Sequence, residues 1–143
     1  MEPSYFKSPL YRYYTPFTYK YQDDPPLLIR MHTNKLFLVF LSENHPIKNE
    51  NVLEVKFIHN TDGLSGKRKR NAPLLQPATR LAVVRTENFT YVIRAGVEGK
   101  LIELNELLLT NPNLLKEPEG YLAIMMPPLQ KISSIVKRLT EDK

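Results

Sequence analysis

The apolar positions of this chain come in short runs separated by polar turns, a pattern typical of β-strands rather than of long helices. Two runs flank the polar stretch at 32–35, and we predict a hairpin there. The residues at 86–88 are also polar and lie between two apolar runs, which predicts a second hairpin. The predicted strands are residues 27–31, 36–41, 52–59, 81–85, 91–94, 100–104 and 121–126.

The run at 52–59 alternates most regularly. Leu53, Val55 and Phe57 occupy every second position, and charged residues lie between them. Side chains alternate between the two faces of a strand, so this pattern predicts that these three residues pack into a core.

Helical signals are fewer. Asn105 is placed to cap a short helical turn that ends near Leu109. A second helix is predicted after Pro127 and Pro128, because apolar residues then recur every three or four positions. They are Leu129, Ile132, Ile135, Val136 and Leu139. We expect this amphipathic helix to dock on its own domain.

Residues 1–26 have a different composition from the rest. They contain six of the eight tyrosines and five prolines, with no helix or strand period. So many aromatic residues are unusual in a solvated tail, so we interpret this segment as an extended arm packed on the domain or on a partner. The expected division is an arm at 1–26, a β domain at 27–127 and the helix at 128–143.

The composition of the 143 residues excludes several classes of chemistry. There is no cysteine, which excludes disulfides, thiolate zinc sites and cysteine nucleophiles. The N-terminus lacks the pattern of a signal peptide, and the longest apolar run, 36–41, is too short for a membrane helix. We therefore expect a soluble protein made in the cytosol, with no membrane partner.

The net charge of +5 is concentrated in one part of the chain. Residues 61–100 alone carry +5, with a peak at Lys67, Arg68, Lys69 and Arg70. This basic segment has three interpretations that the sequence leaves open. It is a nuclear import signal, a contact for an acidic partner such as a phosphate backbone, or a solvated basic turn.

Catalytic motifs are missing from the sequence, and we expect neither enzymatic activity nor a cofactor. Ser65 lies in GLSG, which is not a nucleophile motif, and the glycines form no phosphate-binding pattern. A metal site from His32, His45 and Glu43 is conceivable, but their spacing is not that of a tight metal motif. We favour structural hydrogen bonding for both histidines, with a bend at Pro46 after His45.

Four of the five glycines form two similar pentads, GLSGK at 63–67 and GVEGK at 96–100. Gly63 and Gly66 thus correspond to Gly96 and Gly99. Paired glycines suggest equivalent tight bends, which predicts two pseudo-symmetric halves.

The second half resembles the glycine-cleavage H-protein and the wider lipoyl/biotinyl group. The resemblance rests on the string GVEGKLIELN at 96–105, followed by Pro112 and by Gly120 and Tyr121. It implies a barrel-sandwich hybrid fold. In that group a lysine at a hairpin tip carries the cofactor, but the corresponding position here is Asn88. The resemblance therefore favours the fold and argues against carrier function.

A closer resemblance rests on HTNK at 32–35 followed by LSENHPI at 41–47, on SGKRKRNA at 65–72 and, more loosely, on RYYTPFTYK at 12–20. These are similar to the Abitram family, also called Simiate. The resemblance implies a noncatalytic protein that binds actin and modulates transcription. It also implies a location in the nucleus, including nuclear speckles, and in the cytoplasm. Two alternatives remain open: a basic adaptor for nucleic acid or a nuclear complex, and a degenerate lipoyl-type scaffold that docks on a partner enzyme.

Overall fold

The computed structural model describes residues 14–59, 73–118 and 120–141. The strands are β1 (Tyr14–Tyr19), β2 (Leu27–His32), β3 (Phe37–Leu41), β4 (Val52–Phe57), β5 (Leu74–Leu75), β6 (Arg80–Thr86), β7 (Thr90–Arg94), β8 (Gly99–Leu104) and β9 (Ala123–Met126). The helices are α1 (Leu107–Thr110) and α2 (Ile132–Glu141). Short 3-10 turns cover Pro46–Asn49, Pro112–Lys116 and Leu129–Lys131.

The strands form two antiparallel sheets. One has six strands in the order β1-β2-β3-β9-β8-β5, and the other has three in the order β4-β6-β7. Neither sheet closes on itself. The predicted mainly β architecture with a C-terminal helix is therefore confirmed. The hairpin β2–β3 is part of the larger sheet, because β3 pairs with β9.

The core lies between the sheets and is built from alternate strand positions. Ile29, Val39 and Ala123 are neighbours across β2, β3 and β9, and all three are fully buried. Val84 and Ile93 are buried on the smaller sheet and belong to the same cluster. Burying one such large aliphatic side chain stabilises the fold by about 1.5–3 kcal/mol, so this shared layer holds the two sheets together.

The predicted hairpin at 32–35 is confirmed and closed by side chains. The imidazole Nδ1 of His32 accepts a hydrogen bond from the Asn34 amide at 3.2 Å. The Asn34 side chain in turn accepts one from the Leu36 amide at 3.0 Å. Lys35 has a positive φ of 74°, which such a tight turn demands.

Leu53 departs from the sequence prediction. The β4–β6 register shifts between Val52 and Glu54, so β4 contains a bulge at Leu53. A bulge interrupts the alternation of faces, and Leu53 is consequently 43% exposed. Val55 is buried and Phe57 packs against the core, as predicted.

Part of the N-terminal arm is a strand, although the sequence showed no strand period there. β1 pairs with β2 along its whole length, from Tyr14 opposite His32 to Tyr19 opposite Leu27. Phe17 anchors this edge strand, because it is buried opposite Ile29. Residues 1–13 lie outside the described residues.

Helix α2 docks on the domain, as predicted. Ile135 and Leu139 are buried in the core cluster, and Lys131 pairs with Glu98 at 3.1 Å. Leu129 is 75% exposed, so its assignment to the buried stripe was wrong. It belongs to a 3-10 turn before α2, whose tighter winding breaks the helical spacing. In the described part of the chain, no helix has the length and apolarity to span a bilayer.

Candidate interaction surface at the β6–β7 hairpin

The hairpin between β6 and β7 has Glu87 and Asn88 at its tip. The Thr86 amide donates to the Phe89 carbonyl at 2.9 Å, which closes a two-residue turn. The Thr86 hydroxyl oxygen also accepts from the Phe89 amide at 3.0 Å. The predicted hairpin is thus confirmed, with Asn88 exposed at its tip.

The Glu50 carboxylate anchors this hairpin from outside it. The hydroxyl of Thr86 donates to Glu50 Oε1, and that of Tyr91 donates to Glu50 Oε2, both at 2.5 Å. The hydrogen bond from Thr86 and then the one from Tyr91 hold the pKa of Glu50 below its usual value. Both ends of the turn are thereby tied to the loop before β4.

Tyr91 and His45 form the buried side of this cluster. Their rings meet edge to face, with centroids 5.7 Å apart. Burial, followed by the hydrogen bond to Glu50, raises the pKa of Tyr91 to about 12. Burial, followed by the charge of Lys48, lowers the pKa of His45 to about 4. Both side chains are therefore neutral at pH 7.

The histidines singled out in the sequence have structural hydrogen bonds. His45 is buried, and its Nδ1 accepts from the Ile47 amide at 3.2 Å. This bond caps the 3-10 turn that Pro46 begins. Glu43 is exposed in the preceding turn. Within residues 14–59, 73–118 and 120–141, no group of three His, Cys, Asp or Glu side chains is arranged to hold a metal ion.

A groove of about 290 Å³ runs between β7 and the segment 19–27. On its wall, the Arg94 guanidinium stacks over the Tyr21 ring at 4.0 Å and lies 3.6 Å from the Asp24 carboxylate. The same guanidinium donates to the Ala78 carbonyl at 2.7 Å. These contacts hold the segment 19–27 beside the edge of the smaller sheet.

Two of the four repeat glycines are described, and both have a packing role. Gly96 has a positive φ of 78°, and a Cβ there would lie 2.8 Å from Ile29 Cδ1. A Cβ on Gly99 would lie 2.7 Å from the Met126 carbonyl oxygen. Gly63, Gly66 and the basic segment 67–70 lie outside the described residues.

Sequence reasoning missed Glu50 and Tyr91 as partners. They are 41 residues apart and belong to no recognisable motif. Their meeting depends on the pairing of β4 with β6, which brings the start of β4 to the turn of the second hairpin. The pairing of Arg94 with Asp24 was missed because these two residues are also far apart in the sequence and belong to no motif.

The fold resembles that of a solved structure. A glycine cleavage system H protein from Mycobacterium marinum matches with a TM-score of 0.56 and 12% identity, covering 75% of this chain and 81% of that chain. No protein-family model matches the sequence. At this identity the likeness shows the fold alone, and it confirms the predicted H-protein-like architecture.

Sequence relatives decide the family. A protein from Drosophila melanogaster named Protein Abitram is 32% identical over 142 aligned residues, covering 92% of this chain and 66% of that protein. One of the same name from Xenopus tropicalis is 32% identical over 127 residues, covering 80% of this chain and 69% of that protein. The chain belongs to the Abitram family. A human Abitram is 28% identical over 127 residues, covering 80% of this chain and 70% of that protein.

The predicted family is thus confirmed. The chain spans about two thirds of the length of the curated Abitram relatives it matches. The partners and cellular role predicted from the resemblance stay predictions.

Proposed function

We propose that this Abitram-family chain is a noncatalytic interaction protein that binds actin, as filaments and monomers, and modulates transcription in the nucleus. The observation that carries its noncatalytic part is Asn88 at the tip of the β6–β7 hairpin. A side-chain amide has no free amine to acylate, so this hairpin does not carry a lipoyl or biotinyl group as the lysine of lipoyl domains does.

The anchoring of the hairpin supports the same proposal. A swinging carrier needs a long side chain that reaches away from the turn. Here Asn88 has a short side chain at the tip of a turn whose two ends are tied to Glu50 by Thr86 and Tyr91. The hairpin is therefore suited to present a fixed surface. Mass spectrometry of the purified protein tests this part, and a lipoyl or biotinyl adduct would contradict it.

Actin binding rests on the family, and the basic segment 67–70 is its candidate contact. Four consecutive cations repel one another and attract an acidic surface. The same segment is the candidate import signal for the proposed distribution between nucleus and cytoplasm. A nucleic acid would also attract this segment, so the experiment must separate specific binding of actin from general attraction to a polyanion.

Co-sedimentation with actin filaments tests the proposal, at low and at near-physiological salt. We expect saturable binding that survives salt, and its loss when Lys67, Arg68, Lys69 and Arg70 are all changed to alanine. The matched control removes four exposed cations scattered over the surface. It changes Lys20, Lys56, Arg80 and Lys137 to alanine.

The two variants have the same net charge, so they separate a specific contact from general attraction. Retained binding by the scattered variant supports the basic segment as the contact. Equal loss in both variants, or binding of the native protein only at low salt, contradicts specific actin recognition. Short RNA and DNA are titrated in parallel, and tighter binding to them would favour the nucleic-acid adaptor.

A further inference from the structure

Large apolar side chains are exposed at the hairpin end of the molecule. Phe89 is 63% exposed, Leu107 64% and Leu109 51%, and Leu53 protrudes at the bulge in β4. Apolar side chains exposed singly are ordinary, but several at one end of a small domain mark an interaction site.

The backbone brings these side chains to the same end. Val52, beside Leu53, pairs with Thr86 at the base of the hairpin, and the Glu87 amide donates to the Asn51 carbonyl at 3.2 Å. Helix α1, which carries the two exposed leucines, packs against β4. The turn after α1 is fixed to the same strand, because Asn113 Oδ1 accepts from the Val52 amide at 3.0 Å.

The charge of this end is opposite to that of the whole chain. The segments 50–54, 86–90 and 105–113 contain four glutamates, in a chain of net charge +5. Two cations contact them: Arg85, and Lys116, whose Nζ donates to the Glu50 carbonyl at 3.0 Å. Glu54 pairs with Arg85 at 3.4 Å. Among the described residues, Glu87 and Glu106 are exposed and take part in no salt bridge.

We propose that this hairpin-end surface (Leu53, Glu87, Phe89, Glu106, Leu107 and Leu109) binds a basic amphipathic segment of a partner protein. The apolar side chains contact the apolar stripe of the segment, and the two glutamates pair with its lysines or arginines. Nucleic acids and anionic membranes fit this surface poorly, because their charge has the same sign as its glutamates.

The rigidity of the surface favours binding. Glu50 holds both sides of the turn that presents Phe89, and Asn113 holds the start of β4. A surface fixed before the encounter loses little conformational entropy on association. This surface is distinct from the basic segment proposed for actin, so the two proposals are tested separately.

The experiment uses the full chain and a designed peptide as the probe. The peptide has about 14 residues, with leucine and lysine at helical spacing and a single tryptophan as the reporter. The chain contains no tryptophan, so the fluorescence reports the peptide alone. A companion peptide carries glutamate in place of lysine. We expect saturable binding of the lysine peptide and none of the glutamate peptide.

Variants locate the binding. Phe89→Ser with Leu109→Ser should weaken binding roughly tenfold or more, since both side chains would lose apolar contact. Glu87→Lys with Glu106→Lys should weaken it to a similar extent. The matched control is Leu74→Ser with Leu129→Ser, which changes two exposed leucines near the other end of β8 and should have no effect.

Several results would overturn the proposal. Equal loss in the control pair, no effect of the hairpin-end variants, or equal binding of both peptides would each do so. Sedimentation of the free chain as a dimer that Phe89→Ser dissociates would identify a second copy as the occupant instead. Binding to anionic vesicles that Phe89→Ser abolishes would identify a membrane. Co-sedimentation of the hairpin-end variants with actin should stay unchanged, so failure here leaves the actin proposal standing.

Discussion

The carboxylate of Glu50 accepts a hydrogen bond from the Tyr91 hydroxyl at 2.5 Å, across 41 residues of sequence. With the bond from Thr86, it ties the loop before β4 to both strands of the second hairpin. The tip of the β6–β7 hairpin is thereby fixed in place.

Removing this carboxylate should loosen the hairpin and leave the core intact. In Glu50→Ala, the hydroxyls of Thr86 and Tyr91 lose their shared acceptor. We expect faster hydrogen exchange at the Phe89 amide, which donates to the Thr86 hydroxyl oxygen, and unchanged exchange at the Ile29 amide in the core. Glu54→Ala is the control, because its side chain makes only an exposed ion pair with Arg85. Equal protection of Phe89 in native protein and Glu50→Ala would contradict the anchoring role.

The stability of the fold should fall as the pH is lowered from about 6.5 towards 4. Burial lowers the pKa of His45 from its usual value of 6.5 to about 4. Between pH 6.5 and 4, His45 of the unfolded chain binds a proton and His45 of the folded chain does not. The stabilisation is therefore complete above pH 6.5 and decreases as the pH falls to 4. A pKa shift of this size corresponds to a loss of about 3 kcal/mol in the free energy of unfolding.

Urea unfolding at pH 7.5, 5.5 and 4.5 measures this effect. His45→Gln keeps a polar side chain beside the Ile47 amide but cannot titrate, so its stability should depend less on pH. His32→Gln, in the β2–β3 turn, should keep the dependence of the native protein. Identical slopes for native protein and His45→Gln would exclude His45 as the source.

Gly96→Ala should destabilise the protein by about 1–3 kcal/mol. Its φ of 78° disfavours any side chain, and the new Cβ would lie 2.8 Å from Ile29 Cδ1. Ile29→Val removes that methyl group, so the double variant relieves the clash and retains the φ cost. Thermal unfolding of both single variants and the double variant separates the two contributions. Additive effects would show that the close approach to Ile29 is unimportant.

Docking of helix α2 predicts a large effect at a buried position of the helix and a small one at an exposed position in the turn before it. Ile135→Ala should cost about 2–4 kcal/mol, because Ile135 is buried in the core cluster. Leu129→Ala should change stability by less than about 0.5 kcal/mol, since this side chain is exposed. Urea unfolding of the two variants measures both values. Similar changes in the free energy of unfolding for the two variants would contradict the burial of Ile135 in the core.

Features governed by neighbouring residues were predictable from the sequence. The hairpin at 32–35 depends on side-chain bonds within a few residues, such as that between His32 and Asn34. The capping site at Asn105 is similarly local, since its side chain accepts from the Leu107 amide at 3.3 Å. Periodicity also predicted the docking of Ile135 and Leu139.

Long-range pairing accounts for two features that the sequence did not predict. Leu53 is exposed because β4 forms a bulge against β6, a strand that begins 27 residues later in the chain. β1 contains Pro16 and shows no alternation, yet it is a strand because β2 offers it an edge. Edge strands tolerate proline, since the backbone on their outer side needs no partner within the sheet.

The sequence by itself determined the fold class, the two hairpins and the C-terminal amphipathic helix. These follow from side-chain periodicity and from residue identity, which need no partner distant in the chain. Tertiary structure alone decided that Glu50 meets Tyr91, and that Leu53 and Phe89 share one end of the molecule with the leucines of α1. These meetings depend on the register of strands far apart in sequence, and local pattern carries no information about that register.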